Sequence, residues 1–261
     1  MTEIHIPNLP PDVLFQIGSF DITNTMINAW IAIVIFLVLG IFVKRSAKLR
    51  PGKLQNTCEF FLETILGYFD QVTGDRKKTL QFLPIVGSIF FFILLSNWLG
   101  LLPGTGSITL RHQMLLRPAN TDLNLTLAMA LVSVISSHIF GFIAVGFFSH
   151  LGKFIQIKNI FKSIKKGPIA LFVALIEFGV GLIEIISEIA KVISLSLRLF
   201  GNIFAGEVLI SVISALVGVF IPTPFMVLEL LVGLIQAGVF AILTIVYLTI
   251  ATSQPHRVEE H

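Results

Sequence analysis

Met26–Val43 carries no charged residue, nor do Phe82–Leu102 or Leu123–Phe148, and Phe225–Ala251 carries only Glu229. At a helical rise of about 1.5 Å per residue, runs of this length cross a hydrocarbon core of about 30 Å. Four such runs constrain the fold more than any other feature, because water cannot solvate them. Composition agrees: 55% of the residues are hydrophobic and 13% are charged, against about 25% charged in ordinary soluble domains. A chain this apolar is not disordered. It reads as one polytopic, all-α membrane domain over residues 1–261.

Charge placement predicts topology. Lys44, Arg45, Lys48, Arg50 and Lys53 follow the first span, 26–43, whereas Glu3, Asp12 and Asp21 precede it. Basic loops stay in the cytoplasm, so the N-terminus faces out. In 53–73, Phe60, Phe61, Ile65, Leu66 and Phe69 recur at helical spacing beside Glu59, Glu63 and Asp70. That is an amphipathic helix lying on the cytoplasmic surface, which the charged stretch from Asp75 to Lys78 is expected to end. The span 82–102 breaks at Pro103–Gly106. The next loop has Arg111 and Arg117 as its basic residues and is expected outside. The span 123–148 leads to Lys153, Lys158, Lys162, Lys165 and Lys166, again cytoplasmic. The tail with Arg257, Glu259 and Glu260 is expected inside. The first 25 residues lack Lys and Arg, so no cleavable signal peptide is expected.

Several classes are excluded. A net charge of +3 supplies no basic face for nucleic acid. Cys58 is the single cysteine, so no internal disulfide or multi-cysteine zinc site is expected. Neither a cofactor nor a metal is expected. No G-x-x-x-x-G-K-[ST], G-x-S-x-G or H-E-x-x-H motif occurs, so the chain has no recognisable ATP site of its own. No internal repeat is evident, against an inverted-repeat carrier.

The helical pattern of 168–213 runs on without an internal proline. A straight helix of that length would measure roughly 70 Å, more than twice the hydrocarbon thickness. It must be steeply tilted, bent or broken. It also carries Glu177, Glu184, Glu188, Lys191, Arg198 and Glu207. Each costs about 2.5–3.5 kcal/mol at the bilayer centre on insertion scales. Projected at 100° per residue, Glu177, Glu184, Ser187, Glu188, Lys191, Arg198 and Asn202 share an arc of roughly 100°. That stripe addresses something other than lipid. Glu207 lies about 180° from Arg198 and addresses a different neighbour, with the final helix, 224–251, the candidate. On that helix Glu229 and Gln236 share a face.

Intrahelical ion pairing explains Glu184, Glu188 and Lys191 as well as a functional role does. It does not explain Arg198. The positions three and four residues away hold neutral side chains, Ser194, Leu195 and Asn202 among them. A guanidinium cannot shed its proton as a carboxylate can gain one. Arg198 therefore requires an acidic partner from another helix or chain. Blander readings suit other residues: Asp122 as a helix cap, His138 as an interhelical hydrogen-bonding group, and Trp30 and Trp98 as packing or interfacial anchors.

The string Ser194-Leu-Ser-Leu-Arg-Leu-Phe-Gly-Asn-Ile-Phe-Ala-Gly-Glu207 closely resembles the signature of the F-type ATP synthase subunit a family. Leu234–Leu248 resembles that family's last helix, and Ser96–Gly104 and Arg117–Thr126 are also similar to it. The resemblance implies one vertical span, a surface helix, two further spans and two long, steeply tilted C-terminal helices. It implies a stator beside a rotating c-ring, with peripheral-stalk b subunits. The outward N-terminus and the lack of an organelle signal lead us to expect a bacterial plasma membrane. Two half-channels would load and unload protons on ring carboxylates, with Arg198 between them. Glu207, Glu229, Asn202 and Gln236 match the outer half-channel and ring face; Glu184, Ser187 and Glu188 lie on the cytoplasmic stretch. Many relatives place a histidine where this chain has Glu207 or Glu229, and two adjacent carboxylates would share a proton. Two alternatives stand beside this reading: an independent ion channel or carrier, conducting without a ring, and a membrane-embedded protease, which would need paired carboxylates but not Arg198.

Overall fold

A computed structural model describes residues 9–18, 20–46, 48, 52–102, 109–110, 113–114, 116–147, 168–217 and 221–253. Residues 103–108, Arg111, the lysine-rich 148–167 and those after 253 lie outside the described residues. A short antiparallel hairpin, β1 (Val13–Ile17) and β2 (Phe20–Thr23), leads into α1 (Asn24–Ser46). Then come α2 (Lys53–Thr73), α3 (Arg76–Gly100), the two-residue strands β3 (Thr109–Leu110) and β4 (Gln113–Met114), and a 3₁₀ turn at Ala119–Thr121. The chain continues through α4 (Leu123–Val145), α5 (Pro168–Val217) and α6 (Pro222–Thr252). The two small hairpins apart, this is the expected all-α architecture. Asn24–Arg45, Arg76–Gly100, Leu123–Val145 and Pro222–Thr252 are long and apolar enough to cross a membrane.

The stretch from Asp75 to Lys78 does not end α2; it starts α3. Gly74 adopts φ +66° and its N–H bonds the Asp70 carbonyl at 2.9 Å, closing α2 in the left-handed conformation that glycine takes without strain. Asp75 then caps α3, accepting from the Lys77 N–H at 2.9 Å. The apolar run alone could not locate this start, because the cap sits about two turns before it. The Thr79 hydroxyl, and then the Arg76 guanidinium that donates to Asp70 Oδ2, hold the Asp70 carboxyl below the usual carboxylate range. Pro84 lies inside α3, with the Ser88 hydroxyl donating to its carbonyl. At α4, Asp122 is the expected cap: Oδ1 accepts from the Asn124 N–H at 2.9 Å and Oδ2 from Thr25 on α1 at 3.2 Å.

Helix α5 is one continuous helix of 50 residues. It is therefore not broken, and it is about 75 Å along its axis. It packs against α4 and α6, while α6 also lies against α2, α3 and α4. The core draws Phe69 from α2, Phe82, Phe90 and Ile93 from α3, Leu195, Leu199 and Ile203 from α5, and Phe240, Ile245 and Leu248 from α6. Lipid tails are as apolar as leucine, so close packing and interhelical hydrogen bonds hold such a core together.

One polar knot does this at the heart of the bundle. Asn97 Nδ2 donates to the Gly233 carbonyl at 3.3 Å, and its Oδ1 accepts from Asn120 Nδ2 at 2.7 Å. Trp98 Nε1 donates to the Leu230 carbonyl at 3.1 Å, joining the same two helices. Asn97→Leu removes both amide bonds and leaves Asn120 Nδ2 only its longer bond, 3.4 Å to the Ile93 carbonyl. It is expected to destabilise the folded chain by about 1–2 kcal/mol, read as a lower Tm of the detergent-solubilised protein. An unchanged Tm would show the knot to be incidental.

Candidate functional site

The residues singled out from the sequence fall into four places on α5 and its neighbours. Arg198 is exposed, and its Nη2 donates to Ser194 Oγ, one turn back, at 3.4 Å. Among the described residues no carboxylate pairs with it. Its flanks Ile193 and Leu197 are half-exposed, whereas Leu195 and Leu199 are buried in the core. Arg198 thus faces outward as a permanent cation on the polar stripe, beside exposed Ser194 and flanked by apolar Ile193 and Leu197.

One turn further along, Asn202 Nδ2 donates to Gln236 Oε1 on α6 at 2.8 Å. The two amides tie the crossing of the long helices without adding charge. Glu229 is also on α6, seven residues before Gln236 and on the same face. It is 7% exposed, and its Oε1 is buried with no hydrogen-bond partner among the described residues. It fits because Gly206 opposite has no side chain: a Cβ there would overlap the Glu229 carboxylate. By contrast, a Cβ on Gly201 would meet nothing within 4 Å. Of these two small residues on α5, only Gly206 permits a close approach within this chain.

Glu207 does not turn to the final helix. Its carboxylate is held by Arg117, from the connection between α3 and α4, with Nε at 2.9 and 3.1 Å from its two oxygens and Nη2 at 2.9 Å from Oε2. Arg117 also lies over the Phe204 ring, 5.8 Å from its centroid. Side-chain period places Glu207 opposite Arg198, but no local pattern indicates which element meets it there. Arg117 was legible only as a loop cation and as part of a motif. Its pairing spans ninety residues of sequence, beyond any helical spacing argument.

On the other half of α5, Glu188 Oε1 accepts from Lys191 Nζ at 2.6 Å, the expected i,i+3 pair. Glu184 makes no ion pair with them among the described residues. Two further elements join. His138 Nε2 of α4 lies 3.5 Å from Glu188 Oε2, and Lys191 Nζ lies 5.1 Å from the centre of the Tyr247 ring of α6. His138 thus meets an acid across the α4–α5 contact. Ser187 is exposed and donates back to the Ile183 carbonyl at 2.9 Å. Among the described residues no group of three or more His, Cys, Asp or Glu could hold a metal ion.

The arrangement suits the movement of small cations better than bond-breaking chemistry. Ionisable and amide side chains are strung along one membrane helix and paired across helix contacts, with one cation facing outward.

Comparison with known proteins agrees with this geometry. The family model described as ATP synthase A chain matches residues 26–249. ATP synthase subunit a of Moorella thermoacetica is 33% identical over 239 residues, covering 91% of this chain and 94% of that one. ATP synthase subunit a 2 of a Bradyrhizobium species is 32% identical, covering 92% and 93%. ATP synthase subunit a of Campylobacter jejuni subsp. doylei is 35% identical, covering 84% and 85%. With four membrane-crossing helices, an arginine-bearing α5 and a family match over most of its length, the chain belongs to the ATP synthase A chain family, as a multi-pass subunit of the proton-translocating ATP synthase.

Proposed function

We propose that this chain is the ion-conducting stator that faces a ring of small hairpin subunits, the c-ring, each carrying one buried carboxylate. Arg198 stands between two aqueous half-channels. The outer one is served by Glu207, Glu229, Asn202 and Gln236, and the cytoplasmic one by Glu184, Ser187 and Glu188. The observation that carries this reading is Arg198 itself. A permanently charged guanidinium is exposed on the polar stripe of α5, with the exposed apolar side chains of Ile193 and Leu197 at its flank, and has no carboxylate partner among the described residues. Such a charge is costly in lipid and acceptable beside an anion brought by another chain.

The cation attracts each deprotonated ring carboxylate that passes and disfavours direct proton passage between the half-channels. Moving one elementary charge through 100 mV is worth about 2.3 kcal/mol, and this is the driving force. Protons enter by one half-channel, ride the ring and leave by the other. Peripheral-stalk b subunits hold the stator against the torque. The membrane is a bacterial plasma membrane in this reading, and charge placement supports an orientation with the N-terminus outside and the C-terminus in the cytoplasm.

Site-directed cross-linking tests the ring reading. In a background where the exposed Cys58 is replaced by serine, cysteines at Ile193 or Leu197 are expected to form oxidised adducts with a cysteine beside the ring carboxylate. Cysteine at Leu199, fully buried, is expected to form none. Equal absence of adducts at all three positions, together with conduction by the isolated chain, would point to an independent channel.

A further inference from the structure

We infer that Arg117 is a positioning residue for proton transfer, holding the Glu207 carboxylate in one fixed orientation at the outer half-channel. The inference rests on the half-channel reading above and adds a residue to it. Arg117 is a loop residue, yet it is only 4% exposed. Every part of it is engaged. Its backbone carbonyl accepts from Asn28 Nδ2 of α1 at 2.7 Å. Its Nη1 reaches the Pro10 carbonyl of the N-terminal segment at 3.4 Å. The guanidinium plane lies over Phe204, three residues before Glu207 on α5. The Nε and Nη2 hydrogens then fork onto both Glu207 oxygens.

A planar fork anchored at three points sets direction as well as charge. A carboxylate on a flexible stem would otherwise sample several rotamers, and a lysine ammonium could neutralise it without orienting it. Glu207 and Glu229 consequently differ in kind. Glu207 is clamped by an arginine rooted in α1 and the N-terminal segment, whereas Glu229 lies against Gly206 with an oxygen that accepts no hydrogen bond from the described residues. The charged groups that face Glu207 are Arg117 from the α3–α4 connection and, at longer range, Asp12 from the N-terminal segment. Glu229 approaches from α6 at the adjacent Gly206.

The test is ATP-driven proton pumping by the whole complex in inverted vesicles, normalised to the assembled subunit and measured with lumens preloaded at several pH values. Arg117→Gln is expected to lower the rate per complex roughly tenfold or more, the scale of a misplaced reacting group. It is also expected to move the lumenal pH profile to that of Glu207→Gln. The double substitution should be no worse than either single one, because both remove the same oriented carboxylate. Arg117→Lys, which keeps the charge but loses the fork, should restore assembly but only part of the rate; it serves as the test variant if Arg117→Gln does not assemble. A parental rate and pH profile for both Arg117 variants, with Glu207→Gln inactive, would overturn the positioning role alone. A parental rate for Glu207→Gln would overturn the half-channel reading on which it rests. If the two single losses multiply in the double variant, Arg117 acts independently of Glu207 and the inference fails.

Discussion

Arg198→Leu is expected to abolish proton pumping in inverted vesicles, a loss of at least about 100-fold, while the complex assembles at parental level. The geometry separates the two outcomes. The guanidinium is exposed, and among the described residues its one hydrogen bond goes to Ser194 on the same helix. Nothing in the core depends on it, since Leu195 and Leu199, about 60° and 100° further round the helix, do the packing. Leucine at this site removes a charge that costs about 2.5–3.5 kcal/mol in a bilayer, so insertion should not suffer. What is lost is the fixed cation. Arg198→Lys keeps a positive charge on a flexible stem but loses the delocalised, permanently protonated plane, and it is expected to pump well below the parental rate. Acidification measured alongside the amount of assembled complex checks both. Parental pumping by Arg198→Leu would remove the basis for a stator with a central cation.

Gly206→Ala is expected to have the largest effect of any substitution at a glycine of α5. The added methyl would overlap the Glu229 carboxylate, which is buried between α5 and α6. Either Glu229 leaves its position or the two helices part. Overpacking of this kind costs about 1–3 kcal/mol, and displacing Glu229 should slow pumping roughly tenfold. Gly201→Ala is the matched control. It lies on the same helix with open space around its Cβ position, and replacing a helical glycine by alanine gains about 0.8–1 kcal/mol of helix propensity. The two variants should therefore move the Tm of the detergent-solubilised chain in opposite directions. Combining Gly206→Ala with Glu229→Asp, which shortens the offending side chain, should recover part of the loss. Equal Tm values for the two alanine variants would mean that the Gly206–Glu229 contact is not tight.

Much of the architecture was legible because it is local. A membrane span is a property of consecutive residues, so Met26–Val43 and Leu123–Phe148 announced α1 and α4 to within a few residues of their ends. The polar stripe on α5 follows from helical period alone, and Glu188 with Lys191 is a pair at three-residue spacing. The N-cap at Asp122 follows from residue type. Errors arose where an apolar run stood in for a helix. Helix α3 begins at Arg76, under a cap at Asp75, because a charged first turn is still a helical turn. The hairpin at Val13–Thr23 went unread, being too short to stand out beside the spans.

The partners of the functional side chains were not legible. Asn202 and Gln236, and Glu188 and His138, meet across helix contacts, and Glu207 meets Arg117 of a connecting loop; no periodicity carries information about which element meets which face of a helix. The sequence by itself determined that this is a membrane bundle, that α5 bears a stripe of ionisable groups, and that Arg198 has no local acid to neutralise it. Only the tertiary structure decided that Glu207 is clamped by a loop arginine and that Glu229 occupies the space a glycine leaves open. The reason is physical. Insertion and helix formation are set by residues near one another in the chain, whereas the pairing of a buried charge depends on which side chains packing brings within about 3 Å.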